Sequence, residues 1–202
     1  MVRSPSCAES VSVVAVATAL LLCLGAEGAS AGVKIADAHA TGVLDAHMTA
    51  AYQLLERRDP DALPAAYQET PEPLFCATHL AVAANELLQT APQAAGKILL
   101  EALQRPRLAF SVVSPAGHFR LHYDIEGREA VDPVDDDGNG IPDYVDYTAA
   151  IADSMWALEI VDMGYREPPI DAGAGGGDEI DIYILDLGRS QNYGITYPTS
   201  SG

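Results

Sequence analysis

The sequence predicts an α+β fold: an N-terminal helical region followed by a small sheet with one backing helix. Three observations predict it. Apolar residues recur at spacings of three and four through residues 32–105. From about Leu108 the period drops to two, returns to helical spacing after an Asp- and Gly-rich stretch, and drops to two again at Ile180. The charge balance shifts with the period: between Asp124 and Asp186 stand 18 acidic residues against two basic ones, Arg128 and Arg166.

Ahead of the fold, Arg3 precedes an apolar run from Val11 to Leu24, followed by Gly25, Ala26, Gly28 and Ala29-Ser30-Ala31. A positive start, an apolar middle and a small-residue site in that order predict a secretory signal peptide over residues 1–31. The run falls short of the roughly 20 residues that span a bilayer. The protein is therefore expected to be secreted or extracytoplasmic, with no membrane attachment after cleavage. Cys7 and Cys23 would leave with the signal. A lone Cys76 cannot close an internal disulfide and reads as a small buried core residue.

Residues 32–106 read as a helical, propeptide-like region. Leu44, Met48, Ala51 and Leu55 share one helix face, Leu80, Ala84 and Leu87 a second, and Ala95, Ile98 and Ala102 a third. Prolines 60, 64, 71 and 73 interrupt the first two, and Pro106 ends the third. Residues 107–202 form the α+β part. Phe119, Leu121 and Tyr123 alternate with His118, Arg120 and His122, as on a half-buried strand. After the acidic loop, Val145, Ala149, Ala152, Trp156, Ile160 and Met163 make a helical stripe, closed by Gly164. The stretch DAGAGGG, from Asp171 to Gly177, reads as a flexible linker. Ile180, Ile182 and Ile184 predict a second strand, and Tyr193, Ile195 and Tyr197 an edge strand.

A formal charge of −18 opposes nucleic acid and anionic membrane surfaces as partners and suits a soluble protein that binds cations. The segment DDDGNGIPDYVD gives that expectation a site. With Asp135 at loop position 1, side-chain oxygens fall at positions 1, 3, 5, 9 and 12: Asp135, Asp137, Asn139, Asp143 and Asp146. Gly140 holds position 6, where the chain must turn sharply, and Ile141 at position 7 offers its backbone carbonyl. Calcium takes six to eight oxygens, and ligands on this schedule converge on one ion. The six candidate ligands are thus Asp135, Asp137, Asn139, Ile141, Asp143 and Asp146, whereas the Asp136 side chain faces away.

Other chemistries find less support. No HExxH occurs, and His118 and His122 stand ~13 Å apart on an extended, exposed strand face, too far to share one zinc ion. No GxSxG occurs, and DAGAGGG lacks the GK[ST] ending of a phosphate loop. No catalytic residue and no zinc are expected in this chain.

The loop departs from an EF-hand at Asp146, where a bidentate Glu would stand, and at Pro142, which has no amide hydrogen for a paired loop. It more closely resembles thrombospondin type 3 and dockerin loops. A wider resemblance runs from about Tyr52 to the C-terminus through DPDALPAAY, LFCATH, SPAGHFRLHYDIEG, DDDGNGIPDYVD, MGYREPP, DEIDIYILDLG and NYGITYP. In that order these stretches resemble secreted bacterial metalloproteases of the zincin type. The resemblance implies the N-terminal half of a zincin, with the HExxH helix coming next; Gly202 precedes any such helix. The chain is expected to be the N-terminal portion, or a truncated relative, of a secreted zinc metalloprotease, inactive alone. Its partners would then be calcium, a protein substrate or the missing C-terminal half. The alternative is a non-enzymatic, calcium-dependent extracellular binding module.

Overall fold

A computed structural model describes residues 34–170 and 172–197. Over that range the fold is α+β, with five α-helices and one three-stranded sheet. The expected signal peptide lies outside the described residues. Among those described, no helix is long and apolar enough to cross a membrane.

Helices α1 (Ile35–Ala40), α2 (Ala46–Arg58), α3 (Thr78–Leu88) and α4 (Gln93–Leu103) build the helical region. α2 starts where the Asp45 carboxylate accepts the Met48 amide at 2.8 Å, satisfying a donor that a helix N-terminus leaves free. Its stripe places Ala51, Leu54 and Leu55 in one core with Ala81 and Ala84 of α3 and Leu99 and Ala102 of α4. Leu54 and Leu99 are fully buried, each stabilising the fold by about 1.5–3 kcal/mol relative to exposure. At the far end of α2, Arg58 donates to the carbonyls of Glu101 and Ala102, at 3.0 and 2.6 Å, and so serves the free carbonyls that end α4. The proline-rich connection folds into two short 3₁₀ turns, Pro60–Ala62 and Ala65–Tyr67.

Strands β1 (Phe110–Val113) and β2 (Phe119–Tyr123) pair antiparallel, and β3 (Ile180–Tyr183) pairs parallel to β2. A parallel partner requires a crossover connection. Helix α5 (Asp143–Trp156) supplies it and runs on as a π-helical turn over Ala157–Asp162. Gly164, at φ 73, ends it in a backbone conformation that a Cβ disfavours. Val145 and Ala149 pack on Leu121, Tyr123 and Val131 to form a second core. The predicted stripe fails at Met163, which is exposed. The wider π turn rotates later residues away from the α-helical stripe.

The other face of the sheet is polar and covered. Register aligns Arg120 with Asp181 and His122 with Tyr183. His122 Nε2 lies 2.8 Å from Asp181 Oδ1, and its ring stacks on Tyr183 at 4.3 Å. Asp181 also pairs with Arg105, and Arg120 with Glu179 at 3.3 Å. The Gly-rich stretch closes over these acids: a Cβ on Gly175 would collide with the Asp181 carboxylate, and one on Gly177 with Glu179. The last part of the expected flexible linker, Gly175–Gly177, is therefore a cover whose glycines allow close approach to these side chains. The expected exposed face of His118 and His122 is likewise corrected. His122 is buried, and His118 stacks on Trp156 at 4.2 Å, because elements lie on both sides of the sheet.

The tail does not join the sheet as an edge strand. It runs beside residues 74–78: the amides of Leu74 and Ala77 donate to the carbonyls of Gln191 and Gly194, at 2.8 and 3.1 Å. Ile195 and Tyr197 pack on the helical core. Buried Arg57 donates to the carbonyls of Glu72 and Ser190, at 2.7 and 3.1 Å, and the Asn192 side chain donates to the Arg57 carbonyl at 2.8 Å. Cys76, expected in the core, is exposed beside this strip. The Thr78 hydroxyl, with its backbone, holds the thiol below its ordinary pKa.

Candidate metal centre

The loop between β2 and α5 is closed by the Asp143 amide, which donates to the Val134 carbonyl at 2.8 Å. Inside it, Gly138 and Gly140 take φ values of 68 and 87, the left-handed backbone that glycine adopts at least cost. This coiling turns backbone amides inward. Gly140 N donates to Asp135 Oδ2 at 2.9 Å and Asn139 N to Asp135 Oδ1 at 3.1 Å. Those amides, Gly140 first, hold the Asp135 carboxyl below the usual aspartate pKa, because they favour its charged form. The Asp136 amide donates to both oxygens of Asp143, at 3.2 and 3.3 Å.

Asp135, Asp137 and Asp143 each bring a carboxylate oxygen within 4.8 Å of the others. Asn139 ties in a fourth acid: its Nδ2 donates to Asp137 Oδ2 at 3.2 Å and to Asp146 Oδ2 at 2.7 Å. Its Oδ1 accepts the Ile141 amide at 2.7 Å, so serving as an oxygen ligand requires the side-chain amide to turn over. Ile141 packs its side chain against the second core and anchors the loop there. Of the six predicted ligands, then, three carboxylates converge directly. Asp146 is held to them through Asn139, and Ile141 sits at the turn. Asp136 is exposed and uses its amide rather than its carboxylate.

None of the ion pairs among the described residues includes Asp135, Asp137, Asp143 or Asp146. From Glu129 to Tyr165 the chain carries ten carboxylates and no Lys or Arg. The positive end of the α5 dipole offsets part of this repulsion, since Asp143 and Asp146 lie in its first turn. The field also reaches β2: burial, and then Asp146, raise the pKa of the Tyr123 hydroxyl. An all-oxygen group without His or Cys suits a hard cation such as calcium or magnesium. The depression beside the loop, lined by Phe110, Tyr123, Pro133 and Asp135, holds about 130 Å³, below the ~300–1,000 Å³ of small-molecule sites.

No family model, curated protein or solved structure matches this chain. Sequence reasoning overlooked Val134, whose carbonyl closes the loop, and the His122–Asp181 pair. Facing charges on the outward positions of two predicted strands were the available signal for that pair.

Proposed function

We propose that the chain is an exported calcium-binding protein whose loop Asp135–Asp146 holds one calcium ion through Asp135, Asp137, Asn139, Ile141, Asp143 and Asp146. One observation carries the proposal: three carboxylates converge in a glycine-coiled loop, within a stretch that has no Lys or Arg, and no ion pair among the described residues includes them. Calcium would relieve their mutual repulsion and supply the charge the loop lacks. The role is structural. The loop joins β2 to α5, Ile141 and Val145 anchor it to the core, and Asp143 and Asp146 belong to both loop and helix. A bound ion would fix the angle at which α5 leaves the sheet.

Calorimetric titration of chelator-stripped protein tests this. Heat at one calcium per chain is expected, with magnesium a poor substitute because it demands a smaller octahedral shell. A folded sample that gives no heat at millimolar calcium overturns the proposal.

On the sequence resemblance we further propose that the chain is the N-terminal portion or a truncated relative of a secreted zinc metalloprotease, inactive alone. Neither peptidase activity nor stoichiometric zinc is expected of it. One zinc held per chain after dialysis, or turnover of a peptide substrate, would overturn this part.

A further inference from the structure

The chain holds three asparagines, and Asn139 alone is followed by glycine. Asn85 lies within α3 ahead of Glu86, and Asn192 is buried ahead of Tyr193. An Asn-Gly pair has a reaction of its own, in which the glycine nitrogen, with no neighbouring side chain to hinder it, attacks the asparagine side-chain carbonyl. The loop arranges the groups of that reaction. Asn139 Oδ1 accepts the Ile141 amide at 2.7 Å, which bends the side chain back toward the intervening Gly140 nitrogen. The same Ile141 amide stands where charge gathers on Oδ1 as the carbonyl is attacked. Gly140 N donates to Asp135 Oδ2 at 2.9 Å, within reach for the carboxylate to take the proton. The Nδ2 group, which must leave, is held at Asp146 and Asp137, at 2.7 and 3.2 Å. Asn139 and Gly140 are exposed, so water reaches the product.

We propose that Asn139–Gly140 is a self-modification site: in the calcium-free loop, Asn139 deamidates through a cyclic imide. A bond forms between Gly140 N and Asn139 Cγ. Asp135 takes the amide proton, solvent returns one to Nδ2, the Cγ–Nδ2 bond breaks, and ammonia leaves. Water then opens the ring. Breaking the new Cγ–N bond gives aspartate. Breaking the original backbone bond gives isoaspartate, whose main chain is one carbon longer and shifts Gly140 from its place in the turn. One water is consumed and one ammonia released. Resting on the calcium reading above, a bound ion prevents the reaction, because it takes the Asp135 carboxylate and the Asn139 Oδ1 that the reaction uses. A chain left without calcium therefore alters its own site, and one that stays loaded keeps it.

The test incubates the full chain at neutral pH and physiological temperature in three states: folded in excess chelator, folded in millimolar calcium, and unfolded in guanidinium chloride. Tryptic mapping by mass spectrometry follows the peptide of residues 129–166, in which Asn139 is the only side-chain amide. The mass gain of an amide-to-acid exchange, in aspartyl and isoaspartyl forms separated by chromatography, is expected at Asn139 and not at Asn85 or Asn192. The folded chain in chelator should convert at least about tenfold faster than the unfolded chain. It should also convert at least about tenfold faster than the folded chain in calcium. Asn139→Gln, whose longer side chain requires a larger ring, should leave the peptide unchanged. No conversion at Asn139 in chelator, or conversion no faster than in the unfolded chain, overturns the proposal. Equal rates in calcium and chelator, with the heat of calcium binding seen by titration, overturn the protection by calcium. Absence of that heat is a failure of the calcium reading instead, and the folded-to-unfolded comparison then decides this proposal alone.

Discussion

Neutralising one of two adjacent aspartates separates a metal site from an acidic turn. Asp137 contributes an oxygen to the converging group, whereas Asp136 uses only its backbone amide there. Asp137→Asn keeps a side-chain acceptor for the Asn139 amide, now at 3.0 Å, and removes the charge. Asp136→Asn removes the same charge one residue away. For an unpaired loop with a short acid at its last position, affinity should lie at the weak end, on the order of 10⁻⁵ to 10⁻³ M. At about 100 times the dissociation constant, calcium then stabilises the parent by about 2.7 kcal/mol. Each kcal/mol moves the melting temperature of a domain this size by about 2–4 °C, so the expected rise is about 5–10 °C over chelator. The assay is a thermal melt by circular dichroism at matched calcium and in excess chelator. Asp136→Asn should keep the calcium-dependent rise, and Asp137→Asn should lose most of it. Equal rises in the two variants would refute the assignment of ligands, and no rise in the parent would refute the site.

Acidification gives an independent check on the same loop. Asp135 is held below the usual 3.8, so its contribution is complete above that value and is lost only as pH falls through the lowered one. The calcium-dependent rise should therefore hold from neutrality to about pH 5, and its disappearance by then in pH-stepped melts would contradict the amide-stabilised carboxylate. On the polar face of the sheet, Asp181→Ala removes the acceptor shared by His122 and Arg105; urea unfolding should show a loss of about 3–5 kcal/mol, and a loss under 1 would mean the pairing is incidental. Gly175→Ala should destabilise by at least about 1–2 kcal/mol through its φ of 95 alone, with further loss from the Asp181 collision, and an unchanged melting temperature would place the loop elsewhere. Asn192→Ala should cost about 1–3 kcal/mol, read by the same unfolding, by leaving the buried Arg57 carbonyl without its donor.

Helical periodicity located the buried faces of α2, α3 and α4, since a stripe of Leu and Ala at spacings of three and four has one stable use. The loop was legible because its ligand schedule is local, and so was Gly140 at its turn. The exposed apolar face of α5, with Tyr147 and Ile151, was not, because periodicity marks one face of a helix and says nothing of another at a different angle. His122 was misplaced for a related reason. Alternation identifies which residues share a face, but a second face can be covered by a loop 50 residues further on, as the Gly-rich stretch does here. The tail shows the same limit. Ile195 and Tyr197 do point to an apolar surface, yet that surface belongs to helices more than 90 residues earlier in the chain. Patterns encode burial; the identity of the neighbour is a property of topology.

The strip that ends the described chain bears on how its two regions could ever part. Ser190 and Asn192 are knotted to Arg57 across 133 and 135 residues of sequence, and Arg189 and Arg128 reach Asp61 and Asp59 at 2.8 and 2.9 Å. The Ser190, Asn192 and Arg189 contacts bind the helical region to the end of the described chain, and Arg128 adds a tie from the segment that follows β2. A protease that cut near Pro106 would sever the covalent link but leave this latch shut, with Ile195 and Tyr197 still seated among the helices. The product would be a nicked complex, not a liberated domain. If the helical region is ever discarded during maturation, the decisive event is the peeling of residues 190–197 from Arg57, and cleavage alone is insufficient.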